Sequence, residues 1–331
     1  MHRKLTVYPH SMCGDRPSNE DVELFKFNLA NYDDYCNGIK DHEYDPRSGF
    51  VDFFLICDGH GGDSVAKYVG PLLKEKFTKN LRYPLANNYI NNLYDTIQHK
   101  LINHPHNIAN GCGCTALVVI RCLDPYRKKK DILQIINLGD CRAILSTNGL
   151  AIPLTKDHKP YWSDEKKRID KVNDTSHKKR LIHYDHGDWR VGDLSVSRAF
   201  GDLDNTPHVT HKPDIFEYPL QDSEEFIIMA CDGVWDVLEN HDAVNLVRDF
   251  IKNNNIDLYE ISGDNNVDIY ESVYEKTKEI RNKYVEFNPE KEKQLATKNG
   301  ILNVARVLAK YAYAKGSTDN ISIYIIQLKS F

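Results

Sequence analysis

Two things are scarce in this chain of 331 residues: long apolar runs and any strong excess of charge of one sign. No stretch approaches the ~18 consecutive apolar residues that a membrane-spanning helix needs. The opening MHRKLTVYPHSMCGDR has no apolar core of signal-peptide length. The expectation is a soluble intracellular protein, of cytoplasm or nucleus, with no membrane partner. Lys and Arg number 43 against 48 Asp and Glu, a formal net charge of -5. That balance speaks against general binding to nucleic acid or acidic lipid, since neither field attracts such a chain overall. Internal repeats are also missing. The eight cysteines are scattered, several of them inside apolar runs, and read as reduced, mostly buried thiols. The pair in GCGC (Gly111–Cys114) has no second Cys/His half at structural-zinc spacing, which argues against zinc.

What is present is a series of short strand-like segments. Val51–Cys57, Ala116–Cys122, Ile132–Asn137, Arg142–Ser146, Phe226–Cys231 and Ile321–Leu328 are rich in Val, Ile, Leu or aromatics and end at turn residues. Only LGDC separates Ile132–Asn137 from Arg142–Ser146, too short for a crossover helix, so an antiparallel hairpin is expected there. Helical periodicity appears over Asp63–Leu81, Tyr89–Ile102, His241–Ile251, Val267–Tyr284 and Ile301–Ala314. The order is not regular βαβ alternation. It implies an α+β fold with largely antiparallel sheets and helices packed outside. Asn31–Gly49 reads as a long hairpin loop, RKKK (Arg127–Lys130) as a solvated turn and Asn253–Asn266 as a surface insertion. Lys156–Gly192, dense in Lys, His and Asp and weakly periodic, reads as a binding flap.

The chemistry lies where apolar runs stop. FFLI is followed by Cys57-Asp58-Gly59, and FIIMA by Cys231-Asp232-Gly233. Leu138-Gly139-Asp140 ends a third run, and Thr318-Asp319-Asn320 precedes the last. Each alone is an ordinary turn. Together, if the strands lie side by side, they gather carboxylates that cannot all stay ionised without a cation. Oxygen donors favour a hard divalent ion, Mg²⁺ or Mn²⁺. Gly59 lets the backbone approach a ligand closely, and His60 beside the carboxylates is suited to carrying a proton.

Eight blocks in order now carry a resemblance: DRPSNED (15–21), FFLICDGHGG (53–62), GCGCTA (111–116), NLGDCRA (137–143), LTKDHKP (154–160), LSVSRAFGD (194–202), FIIMACDGVWDVL (226–238) and STDNIS (317–322). The series resembles the metal-dependent protein serine/threonine phosphatases of type 2C, over essentially the whole chain. The resemblance implies a single catalytic domain over 1–331, with a flap at about 157–192. It implies a sandwich of two mainly antiparallel sheets flanked by helix pairs, with a metal centre at one edge. It implies two Mg²⁺ or Mn²⁺ ions, Asp58 bridging them with the Gly59 carbonyl on one, and Asp232 and Asp319 completing the shell. Glu20 and Asp21 would act partly through waters, and Asp140 and Asp236 would hold a weaker third ion with Asp232. The implied reaction is direct attack on phosphoserine or phosphothreonine by water held between the metals. Arg16 would bind the phosphate and His60 would protonate the leaving oxygen. The implied partner is a phosphoprotein, met by a monomer.

The other blocks read as support: Thr115 and Ala116 at a strand start, Ser197 and Arg198 holding the segment after the flap, Asp157 and His158 at its entry, Trp235 and Val237 in the core. Cys114 and Cys141 stand where the family commonly has serine, and Asn173-Asp174 where it often has a Gly pair. Two other readings use the same residues. One is a catalytically inactive binding module that keeps the fold, against which Asp58, Asp232 and Asp319 are all present. The other is a different two-metal phosphoesterase, disfavoured by the acidic net charge and the ordered blocks.

Overall fold

The computed structural model describes residues 5–26, 51–79, 83–123, 130–253 and 303–328. The expectations for Asn31–Gly49, Val267–Tyr284, and nearly all of Arg127–Lys130 and Asn253–Asn266 lie outside these residues. The chain divides into two compact units, one built from Glu20–Arg142 and Leu154–Asp222, the other from His2–Asn19, Ala143–Pro153 and Ser223–Phe331.

The second unit holds β1 (Thr6–Met12), β8 (Arg142–Thr147), β9 (Leu150–Pro153), β14 (Glu224–Ala230) and β15 (Ile321–Gln327), in the order β1-β15-β14-β8-β9. β1 carries Pro9, which cannot donate to a ladder, and it takes a sheet edge where that is tolerated. β15, ISIYIIQ, is an interior strand, buried along nearly its whole length, so it reads as a continuous apolar run. Helices Asn240–Asn253 and Val304–Ala314 bury Val244, Val247, Leu308 and Ala312 in one cluster with Phe226, Ile228 and Ile323. Trp235 joins that core, donating its indole N–H to the Ala230 carbonyl at 2.9 Å, and Val237 packs against it.

The first unit holds β2 (Val22–Lys26), β3 (Val51–Cys57), β6 (Ala116–Leu123), β7 (Asp131–Leu138) and β13 (Asp214–Pro219), in the order β13-β7-β6-β3-β2, every paired register antiparallel. Helices Ser64–Thr78 and Asn87–Ile102 pack Val65, Val69, Leu73, Phe77, Ile90, Tyr94, Ile97 and Leu101 against Phe53, Leu55, Val118 and Ile120. These are the stripes that the 3.6-residue period predicts. A three-stranded sheet, β12 (Phe200–Gly201), β5 (Gly113–Cys114) and β4 (Gly59–His60), runs in the order β12-β5-β4. The α+β class with antiparallel sheets therefore stands.

Two expectations are corrected. β7 and β8 do not form a hairpin: β7 is paired on both sides, by β6 and β13, while β8 lies between β9 and β14 in another sheet. The short LGDC connection passes the chain between sheets. The flap, weakly periodic in sequence, is regular in structure. It contains helix Ser163–Thr175 and the hairpin of β10 (Ile182–Asp185) with β11 (Asp188–Val191). The helix gives no periodic signal in the sequence because it buries only Ile169 and the carboxylate Glu165, four residues apart on one face. A helix anchored by a charge shows no apolar stripe.

Candidate active site

Register explains how the first unit gathers its carboxylates. Val22 pairs with Cys57, Ile56 with Leu117 and Ala116 with Leu138. The residues flanking these pairs, Glu20 and Asp21, Asp58, Thr115 and Asp140, therefore share one end of one sheet. Thr115 pins Asp58 there: its N–H donates to the Asp58 carbonyl at 2.8 Å, and its Oγ1 accepts from the Asp58 N–H at 3.1 Å. Glu20 Oε2 accepts from the Gly62 N–H at 2.9 Å, tying the glycine loop to the same end. A Cβ on Gly59 would lie 2.4 Å from the Glu20 carbonyl oxygen, so only glycine lets β4 and the segment before β2 close this far.

The three-stranded sheet then brings His60 to a partner 142 residues away. β5 pairs Gly113 with His60 on one side and with Gly201 on the other. The next residue is Asp202, whose Oδ2 lies 2.8 Å from His60 Nε2. A Cβ on Gly113 would lie 2.1 Å from Asp202 Oδ2 and 2.6 Å from His60 Nε2. The pair sits where a side chain is missing. His60 remains about a quarter exposed (27%) while Asp202 is buried (2%). Burial is the largest influence on the imidazole and lowers its pKa. The hydrogen bond and charge of Asp202, followed by the charges of Asp140 and Glu20, outweigh it and leave His60 above its ordinary value. The Asp202 carboxylate thus favours the protonated imidazole.

Around this end the backbone is laced by the segment 156–160. The Gly139 N–H donates to His158 Nδ1 at 3.0 Å, so the imidazole carries its proton on Nε2, which faces Asp214 Oδ2 at 3.1 Å. Asp157 accepts from Arg142, with Oδ1 at 2.9 Å and Oδ2 at 2.5 Å. Lys159 Nζ lies 2.6 Å from Asp140 Oδ2, both side chains buried. Ser197 Oγ donates to Glu165 at 2.7 Å, and Arg198 joins Glu165 Oε1 to Asp214 Oδ1. Ser197 and Arg198, expected to hold the segment after the flap, thus bond to Glu165 and Asp214, while Asp157 and His158 at its entry bond to Arg142, Gly139 and Asp214.

In the second unit the same logic operates. Ala230 pairs with Ile323 and Met12 with Ile321. Residues just beyond these strands, Asp232, Asp319 and Arg16, therefore share one sheet end. Cys231 fastens the crossing, with its N–H donating to the Ser322 carbonyl at 3.2 Å and its thiol to the Asn320 carbonyl at 3.3 Å. Asn320 holds the 13–18 loop through the Cys13 and Ser18 carbonyls at 2.8 and 3.0 Å. Arg16 Nη2 lies 2.7 Å from Asp319 Oδ2, on an exposed guanidinium. Asp232 begins the short helix Asp232–Trp235. Asp236 follows it, exposed, with its N–H on the Asp232 carbonyl at 2.9 Å.

The donors at both sheet ends are carboxylates and backbone carbonyls, which suit Mg²⁺ or Mn²⁺. Of the thiols, Cys112 and Cys114 do not compete: both are buried, and burial pushes both, Cys114 strongly, above the ordinary thiol value. Sequence reasoning passed over Asp202, Lys159 and Glu165. Asp202 had a usable signal, since Phe200-Gly201-Asp202 repeats the apolar-Gly-Asp pattern of Leu138-Gly139-Asp140.

Comparison with known proteins places these features. The family model described as Protein phosphatase 2C matches residues 12–269. The PP2C-like domain-containing protein R307 of Acanthamoeba polyphaga mimivirus is 54% identical over 198 residues, covering 60% of this chain and 95% of that protein. Protein phosphatase 2C homolog 3 of Schizosaccharomyces pombe is 32% identical over 249 residues, covering 72% of this chain. Protein phosphatase 2C homolog 2 of Saccharomyces cerevisiae is 33% identical over 255 residues, again 72% of this chain. The chain spans about half the length of these two yeast relatives, 53% and 48%. In fold, it matches the crystal structure of serine-threonine phosphatase 2C from Toxoplasma gondii with a TM-score of 0.63 at 18% identity, covering 99% of this chain and 96% of that one.

Proposed function

Because the chain belongs to the protein phosphatase 2C family, we propose that it hydrolyses phosphoserine and phosphothreonine monoesters of proteins, using Mg²⁺ or Mn²⁺. The observation that carries this reading is the His60–Asp202 pair set among carboxylates at one sheet end. It provides a proton donor beside groups suited to hard cations.

The proposed ligands for two ions are Asp58, the Gly59 carbonyl, Glu20 and Asp21 in the first unit and Asp232 and Asp319 in the second; Asp140 and Asp236 are proposed for a weaker third. When bound, such ions offset charge on phosphoryl oxygens and lower the pKa of water. The chain's own residues do the rest. Thr115 holds the Asp58 backbone from both sides, so its carboxylate is presented without reorganisation. Arg16 is anchored on Asp319 through one nitrogen, and its remaining N–H donors suit phosphate oxygens. Asp202 orients the His60 ring and stabilises its proton, which His60 delivers to the departing serine or threonine oxygen. An alkoxide leaving group needs that proton. The reading extends to a monomer, and to action inside the cell, the latter favoured by the free thiols of all seven described cysteines.

The test is phosphate release from a phosphothreonine peptide by the purified full chain, with Mn²⁺, with Mg²⁺ and with EDTA. Metal-dependent release, abolished by EDTA and without cleavage of DNA or RNA, is expected. No release from folded, metal-loaded protein would overturn the reading and favour a binding module that keeps the fold. Cleavage of phosphodiesters would favour another two-metal phosphoesterase.

A further inference from the structure

Lys159 is a buried cation with two carboxylates. Its side chain is 7% exposed, and Nζ lies 2.6 Å from Asp140 Oδ2, itself 1% exposed. The same Nζ lies 3.5 Å from Asp188 Oδ2. A buried ammonium persists only where opposite charge compensates its lost hydration. Its place is set by the backbone rather than by chance folding of a long side chain. The His158 N–H donates to the Gly139 carbonyl at 3.0 Å, and Asn137 Nδ2 donates to the Lys156 carbonyl at 3.1 Å. The segment 156–160 is thus stitched along the turn that carries Asp140.

Asp188 opens β11, next to the tip of the β10–β11 hairpin. The base of that hairpin is held by apolar contacts, with Val191 and Ile182 packed among Ile169, Val196, Ala199 and Val209. Toward the tip the hairpin is exposed and carries an aromatic pair, Tyr184 and Trp189, with ring centroids 5.6 Å apart. The Lys159 ammonium therefore joins the outer part of the hairpin to the Asp140 turn.

We propose that Lys159 is the resident cation of Asp140 and the tether of the β10–β11 hairpin, so that a divalent ion binding Asp140 displaces the ammonium and releases the hairpin. The argument is electrostatic. With an ammonium at 2.6 Å, the Asp140 carboxylate is already compensated. A divalent ion at the same oxygens would face a buried like charge, which strongly disfavours binding until the lysine withdraws. In the proposed displacement the ammonium leaves Asp188 as well as Asp140. Ion binding at Asp140 and hairpin tethering are therefore mutually exclusive, and each weakens the other by the same factor. The tether stands on the contacts alone; the displacement step rests on the proposed function, in which Asp140 takes a third, weaker ion.

The experiment combines hydrogen exchange of peptides covering 182–191 with a Mn²⁺ titration in which free ion is read by electron paramagnetic resonance. It uses the full chain as wild type, Asp140→Asn, Lys159→Met, Lys159→Arg and Asp188→Asn. In wild type, exchange across 182–191 is expected to rise several-fold only as the weakest Mn²⁺ site fills. Asp188→Asn is expected to exchange fast without Mn²⁺ while its Mn²⁺ isotherm keeps the same number of sites. Lys159→Met is expected to exchange fast without Mn²⁺ and to bind the weakest ion about tenfold more tightly. Lys159→Arg is expected to restore slow exchange. If Lys159→Met does not fold, Asp140→Asn/Lys159→Met removes both buried charges and carries the exchange measurement. Slow hairpin exchange in Asp188→Asn and in the foldable Lys159 variant would overturn the tether. An unchanged isotherm in Lys159→Met, with the weakest site lost in Asp140→Asn, would overturn the displacement. Neither readout uses turnover, so an absence of phosphatase activity would fail the proposed function and leave the tether standing or falling on its own result.

Discussion

His60 Nε2 and Asp202 Oδ2 lie 2.8 Å apart above Gly113, whose missing side chain makes the space for them. Three strand fragments of two residues each create this pair. His60→Ala is expected to slow alkyl phosphoesters by about 10²–10⁴-fold, the usual contribution of a positioned proton donor. p-Nitrophenyl phosphate, whose leaving group needs little protonation, is expected to suffer much less. Equal losses on both substrates would remove His60 from this role.

Asp202→Asn separates positioning from chemistry. Asp202 raises the His60 pKa, so its loss lowers that pKa. The protonated donor is then lost at lower pH, and the alkaline limb of kcat against pH is expected to move to lower pH. Gly113→Ala is expected to disturb the same pair sterically. A pH profile unchanged in Asp202→Asn would show that the aspartate does not govern the histidine.

Metal removal and ligand removal are expected to converge. Asp58→Ala and Asp232→Ala should abolish turnover while far-UV circular dichroism keeps its native form, since deleting one carboxylate from an acidic end relieves repulsion. Wild-type protein should gain thermal stability on adding Mn²⁺, by about 2.7 kcal/mol at a hundredfold excess over Kd. The variants should gain less. A full gain in either variant would strike that residue from the ligand set.

Acid stability offers an independent check on the framework. The hydrogen bond from His158, opposed by burial and helped by Arg198, lowers the Asp214 carboxyl from 3.8 to about 2. Its folded value lies below its unfolded one, so its stabilisation is present above pH ~4 and is lost as pH falls toward 2. Asp214→Asn is expected to flatten the pH dependence of the urea midpoint in that window only. A parallel shift at all pH values would mean that packing, not ionisation, is what the aspartate contributes.

Glu165 collects Ser197, Arg168 and Arg198 on a carboxylate that is 2% exposed. Glu165→Ala removes the buried carboxylate shared by Arg168 and Arg198, leaving Arg198 on Asp214 and Arg168 on backbone carbonyls, and is expected to cost about 3 kcal/mol in urea unfolding, the lower end for breaking a buried ion pair. A loss below about 1 kcal/mol would reclassify this cluster as a solvated surface network.

Local sequence decided a good deal. FFLICDGHGG is a buried strand that must end, because Asp, Gly and His cannot continue an apolar ladder, and it becomes β3 followed by the short β4. The 3.6-residue stripes of Ser64–Thr78 and Asn87–Ile102 determined which faces are buried. The carboxylates at strand ends could be recognised because apolar runs stop at turns, and a turn is a local event. Their gathering followed once antiparallel register aligned Val22, Cys57 and Leu117 at one end of a sheet.

Partner choice was different. The link from Leu138 to Arg142 is short enough for a hairpin, yet β7 pairs with β6 and β13, because competition among all strands, not loop length, sets the ladder. The helix Ser163–Thr175 is held by a buried carboxylate, which leaves no hydrophobic period to read. Asp202 reaches His60 across 142 residues, and Lys159 finds Asp140 and Asp188 from two directions. Such charges are compensated in three dimensions, because burial obliges each to find an opposite wherever the fold supplies it. The candidate reacting groups were legible in the sequence; the pairs that orient and restrain them were decided by tertiary structure.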